Sequence, residues 1–83
     1  MRSLNKKTIT SFAVFEPAIE GGYNVSFPTF PGCVTFGKTF EKAQTAARDL
    51  LPLWIKELKS RKDTIPSYFV RPIVDTIEVS LVN

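Results

Sequence analysis

The residue types that most often carry catalysis are scarce in this sequence. It contains no histidine, which removes the commonest general acid–base group, the commonest zinc ligand and the usual partner of a nucleophilic serine or cysteine. Its single cysteine, Cys33, can neither build a zinc site alone nor close an intrachain disulfide. A reactive thiolate needs a nearby cation, a histidine or a helix N-terminus, and the neighbours Val34 and Thr35 supply none. Cys33 therefore reads as a small, inert, buried side chain. The acidic residues are scattered, and only Glu16 and Glu78 could approach each other, across strand ends, as a metal-binding pair. Glu20-Gly21-Gly22 lacks the lysine and hydroxyl residue of a phosphate-cradling loop. The sequence predicts no enzyme, no cofactor and no metal site.

Charge is the other source of chemistry. Eleven basic residues against 8 acidic ones give a formal net charge of +3. The cations gather in two places: Arg2, Lys6 and Lys7, then Lys56, Lys59, Arg61 and Lys62, the second group diluted by Glu57 and Asp63. That second group falls where a helix pattern ends, and cations there complement the macrodipole. Two readings stay open: a solvated face, or contact with phosphates or an acidic partner. On the second reading Lys56, Lys59 and Arg61 are candidate partner-contact residues. Thr29 and Phe30 join them from the tip of Pro28-Thr29-Phe30-Pro31-Gly32, where a solvated polar residue would cost less than phenylalanine. Phe30 is either a core anchor or a recognition knob. Trp54 and Leu58 pose the same choice between docking a partner and filling the core.

Only a small scaffold is available to position these groups. A chain of 83 residues has room for one domain, residues 1–83, with a thin core. Seven phenylalanines and an overall hydrophobic content of 43% exclude a disordered chain. No apolar run is long enough to span a bilayer, and no signal-peptide pattern follows the basic start. Together with the lone cysteine, this predicts a cytoplasmic protein without membrane contact.

Residues 9–16 favour strand, with Phe12 and Val14 on one parity and Ala13 and Phe15 on the other, as in a strand partly covered on both faces. Pro17 and then Gly21-Gly22 punctuate it, and the paired glycines can take the positive φ of a hairpin. Tyr23, Val25 and Phe27 alternate with Asn24 and Ser26, the pattern of a strand buried on one face. Pro31-Gly32 fits the centre of a type II turn, and Cys33-Val34-Thr35-Phe36 supplies a third strand ending at Gly37.

The period then changes. Thr39 is an N-cap candidate, and Phe40, Ala43, Ala47, Leu50, Trp54 and Leu58 recur at spacings of three and four. This predicts a helix over residues 40–60, bent near 48–52, because an interior proline at 52 costs ~3 kcal/mol or a kink. Two shorter helices are the alternative. A connector with Ile65-Pro66 and Arg71-Pro72 carries Tyr68-Phe69-Val70 back toward the core, and residues 76–82 alternate as a last strand. The expected fold class is α+β in the order β-β-β-α-β, an antiparallel sheet with one long helix on one face. Free edge strands and a thin core predict a homodimer or higher homo-oligomer, by strand pairing or through aromatics such as Phe69.

Residues 21–39 resemble the signature of the HicB-type antitoxins. The motif positions are Gly22, Tyr23, Phe27, Pro28, Pro31, Gly32 and Cys33: a glycine-aromatic-valine strand, Phe-Pro, a Pro-Gly-Cys turn, and a strand ending in glycine before a threonine. Ala43, Ala46, Ala47, Leu50, Leu51, Trp54 and the later Ile65-Pro66 are similar to the family layout, so the resemblance spans residues 9–66. It implies a β-β-β-α-β domain like a partial ribonuclease-H or double-stranded-RNA-binding fold. It also implies self-association and a partner, a small RNA-cleaving toxin of the HicA type, which the protein neutralises by covering its active face. Many members add a C-terminal DNA-binding segment; none follows the last strand pattern here, so DNA is not an expected partner. Thr29 stands where the family often has an acid, and Pro52 interrupts the helix. A standalone RNA-binding module, resting on the two cation clusters, is the alternative function.

Overall fold

The computed structural model describes residues 8–66 and 68–82; the cluster Arg2, Lys6 and Lys7 lies outside them. Three short strands, β1 (Val14–Pro17), β2 (Tyr23–Ser26) and β3 (Val34–Gly37), precede one helix, α1 (Phe40–Ser60). The strands form an antiparallel meander in the order β1-β2-β3, with Phe15, Val25 and Thr35 in register across the sheet.

Local chemistry accounts for each junction. Between β1 and β2 the Gly21 N–H donates to the Ala18 carbonyl (2.9 Å), and Gly21 and Gly22 take φ of 104° and 83°. L-residues with a Cβ seldom adopt that region. Thr39 caps α1: its Oγ1 accepts the Lys42 N–H at 3.1 Å, satisfying one of the orphan donors of the first turn. At the far end Arg61 caps the helix, its N–H donating to the Glu57 carbonyl at 3.1 Å.

β1 is shorter than residues 9–16. Ladder pairing needs a partner, and β2 ends at Ser26 because Pro28 has no N–H to give. Residues 9–13 thus continue past the ladder. Their expected cover on both faces is present: Phe69 and Arg71 lie on Phe12 at 5.3 Å and 5.0 Å, while Phe15 meets Phe40 at 4.9 Å on the other side.

α1 is one continuous helix with Pro52 inside it, so the alternative of two shorter helices is set aside. Pro52 and Arg48 are both exposed, which leaves the Arg48 carbonyl open to water in place of its lost helical donor. The core is formed by Val25, Phe27, Phe30, Cys33, Ala43 and Ala47, with Leu50, Leu51, Trp54, Ile55 and Leu58 packed on it half-buried. Trp54 and Leu58 thus belong with the core. The helix approaches most closely at Gly37, where an added Cβ would overlap the Ala43 backbone N and Cα. α1 packs chiefly on β3 and less on β2, so β1 is the strand it covers least.

The last expected strand does not form. Residues 76–82 carry no sheet pairing and are exposed throughout, so the observed order is β-β-β-α. A period-two pattern selects which side chains share a face, but a strand also needs an edge to pair with. In a single copy of the chain this segment meets none among the described residues.

Candidate functional site

The Pro28–Gly32 turn was the sequence's most conspicuous candidate, and its geometry points inward. Two successive turns make it: the Phe30 N–H donates to the Phe27 carbonyl (2.9 Å), and the Cys33 N–H to the Phe30 carbonyl (3.0 Å). Gly32, at φ 91°, supplies the positive φ of the second turn. This folds Phe30 into the core, only 3% exposed, and Thr29 beside it, 8% exposed. The buried Thr29 hydroxyl is satisfied by the Val70 N–H, 2.7 Å from Oγ1. Phe30 is a core anchor, not a knob. Both side chains are largely buried, and what remains of them lines a pocket of about 510 Å³ with Lys59, Tyr68 and Phe69.

The other motif residues serve the same construction. Gly22 makes room for the Phe36 ring, Tyr23 meets Phe40 edge-on at 5.7 Å, and Phe27 and Cys33 are buried. Gly32 lies against the Trp54 ring, with Pro28 and Pro31 framing the turn. Burial pushes the Cys33 thiol above its ordinary range, because desolvation disfavours the thiolate.

Besides that pocket, two further surfaces among the described residues are open to partners. The solvent side of the sheet carries Val34 and Phe36, 62% and 46% exposed, with Glu16, Asn24 and Ser26 around a shallow depression of about 480 Å³. This side follows from the register: Phe15, Val25 and Thr35 face α1, so their sequence neighbours face out.

The second surface is a groove of about 710 Å³ between α1 and the segment entering β1. Ala13, Phe15, Ala47, Leu51 and Ile55 make its floor, and Arg48, Lys56 and Lys59 its basic rim. Of the predicted contact residues, the fold brings Lys56 and Lys59 together here. Arg61 instead faces Glu57 (3.7 Å) and Asp63 (3.2 Å), an exposed arrangement worth little to stability. The sequence reading missed the groove because it rests on Leu51 and Ile55. Successive steps of four from Ala47 to Leu51 to Ile55 were the available signal, marking a second apolar row beside the main stripe.

Among the described residues there is no group of three or more histidine, cysteine or acidic residues able to hold a metal. Glu16 lies in β1 and Glu78 in the exposed C-terminal segment, which forms no strand beside it, so that pair is not assembled. No helix among the described residues is long and apolar enough to cross a membrane.

Comparison with known proteins places the chain in a family. Over 47 residues the chain is 36% identical to the UPF0150 protein Ta0767 of Thermoplasma acidophilum, an alignment covering 57% of this chain and 68% of the relative. Residues 12–78 match the family described as "HicB_like antitoxin of bacterial toxin-antitoxin system". That match takes in the three strands, the Pro-Gly-Cys turn and the whole helix, and the chain belongs to the HicB-like antitoxin family.

Proposed function

We propose that this protein neutralises a small RNA-cleaving toxin of the HicA type by covering its active face, and that the solvent side of the sheet makes the contact. One observation carries the choice of surface. Val34 and Phe36 are large apolar side chains left exposed on the face of the sheet turned away from α1. An exposed aromatic side chain on a rigid face, ringed by polar groups, is a usual centre of a protein interface, and Val34 beside Phe36 widens the apolar patch. Glu16 at the rim offers a carboxylate to a basic partner. Occlusion of this kind needs no reactive group, which suits a chain without histidine and with its one thiol buried.

Titration calorimetry with a purified HicA-type toxin tests the reading. A saturable complex is expected, with Phe36→Asp and Val34→Asp each weakening it about tenfold or more, as for residues central to an interface. No binding by the unaltered chain, or full binding by the Phe36→Asp variant, contradicts it.

The second reading, RNA binding, is favoured by the convergence of Arg48, Lys56 and Lys59 on one groove. Contacts to phosphates release counterions, so affinity for duplex RNA would fall steeply with salt and with Lys56→Glu. Calorimetry with duplex RNA at low and physiological salt separates this reading from the first.

A further inference from the structure

We propose that the C-terminal segment, residues 73–82, is an arm exchanged between two copies of this chain. Each arm adds as a strand along the free edge of the partner's β1 and fills the groove between that strand and the partner's α1. This is independent of toxin binding, which uses the opposite side of the sheet.

Four observations lead there. The first is the arm itself. Ile77, Val79 and Leu81 share one parity and are 79%, 74% and 87% exposed, while Thr76, Glu78 and Ser80 take the other. An amphipathic strand that leaves its apolar face in water lacks its partner, since a lone strand gains no pairing and hides nothing.

The second observation is the receiving site. β1 is an edge strand with no neighbour on its outer side among the described residues. α1 covers it least, and the open groove there has Ala13, Phe15, Leu51 and Ile55 on its floor. A fourth strand at this edge would set alternate side chains onto that floor. Free edges of this sort are standard templates for strand addition.

Charge is the third. Asp75 shares the parity of Ile77, Val79 and Leu81, and residues 72–82 carry no lysine or arginine, whereas the groove contributes Arg48, Lys56 and Lys59 and no acid. The arm and the groove are complementary in sign as well as in polarity.

The fourth decides between the chain's own groove and a second copy's. The root of the arm is tied down: the Val70 N–H is held by Thr29, and Phe69 and Arg71 are stacked on Phe12. Pro72 follows and biases Arg71 toward extended backbone, and no helix, turn or bend interrupts residues 71–82. Ten extended residues reach ~33 Å, in a chain measuring 69 Å along its longest axis against 26 and 24 Å across. The arm leaves its own body instead of folding back on it. A surface and its complement, carried by one chain but unpaired there, close as a two-fold dimer in which each copy gives and receives.

Sedimentation equilibrium on the full chain, alone, tests the exchange. The unaltered protein is expected as a dimer at micromolar concentration, and Val79→Asp combined with Leu81→Asp as a monomer with unchanged helix circular dichroism. Lys56→Glu with Lys59→Glu should weaken the dimer about tenfold or more, and adding Asp75→Lys to that chain should recover part of the loss. A monomer at high concentration overturns the proposal, including one whose arm amides resist hydrogen exchange because the arm has folded back. A dimer unaffected by the arm substitutions overturns it as well, as does an arm protected only after toxin is added.

Discussion

Two stretches of this chain follow the same rule in sequence and end in opposite places. Tyr23–Ser26, extended by Phe27, and residues 76–82 both alternate apolar with polar side chains, and both are rich in strand formers. The first is the central strand, with Val25 and Phe27 buried; the second is exposed along its whole length. What separates them is delivery. β2 is handed to β1 by a glycine turn and to β3 by the double turn at Pro28–Gly32, so neighbours arrive within a few residues. The C-terminal stretch follows a 21-residue helix and a connector stapled to Phe12 and Thr29, and no neighbour is delivered to it. Alternation names the face; a turn supplies the partner.

Substitutions can break or sharpen this contrast, and the largest effects belong on the delivered side. Gly37→Ala forces a Cβ into the Ala43 backbone, and is expected to cost about 4 kcal/mol or more in urea unfolding, because backbone cannot yield as a side chain does. Phe30→Ala empties the space beneath the double turn and should cost about 3–5 kcal/mol. A loss of less than about 1 kcal/mol at Phe30 would mean that the turn does not anchor the core.

Smaller effects probe the staple and the buried thiol. Thr29→Val strands the Val70 N–H and should cost about 1–2 kcal/mol, with faster hydrogen exchange at Val70. Because burial raises the Cys33 pKa, its contribution is fully present below the thiol's unfolded value and is lost as pH rises above it, 9.0 being the ordinary value. Unfolding measured from pH 7 to 10 should therefore show a decline at the alkaline end that Cys33→Ala reduces. The arm gives the smallest change: Val79→Asp in a monomeric background should leave stability within about 0.5 kcal/mol, since the side chain touches little there.

The same contrast marks how far sequence reasoning reaches. The glycine hairpin, the Pro-Gly turn, the Thr39 cap and the helix span were legible because each depends on a few adjacent residues. The position of Phe30 was open in sequence, since a phenylalanine at a turn tip serves a core or a partner equally well; the fold of the turn decided it. The helix row Ala47, Leu51 and Ile55 was legible, but its pairing with Ala13 across a groove was not, because the two sides come together only through the tertiary packing of α1 across β2 and β3. The missing fourth strand is the same lesson from the other direction. Lys56 and Lys59 were chosen for their charge, and the groove gives that charge a location; Arg61, chosen on the same ground, is turned to its own acidic neighbours.

Inhibition of RNA cleavage tests the central claim most directly. A HicA-type toxin, incubated with labelled RNA and rising amounts of the purified chain, should lose activity in proportion to added protein. Cleavage should be abolished near stoichiometric equivalence and persist when the Phe36→Asp chain is used instead. Undiminished cleavage in the presence of a large excess of the unaltered protein would contradict the account.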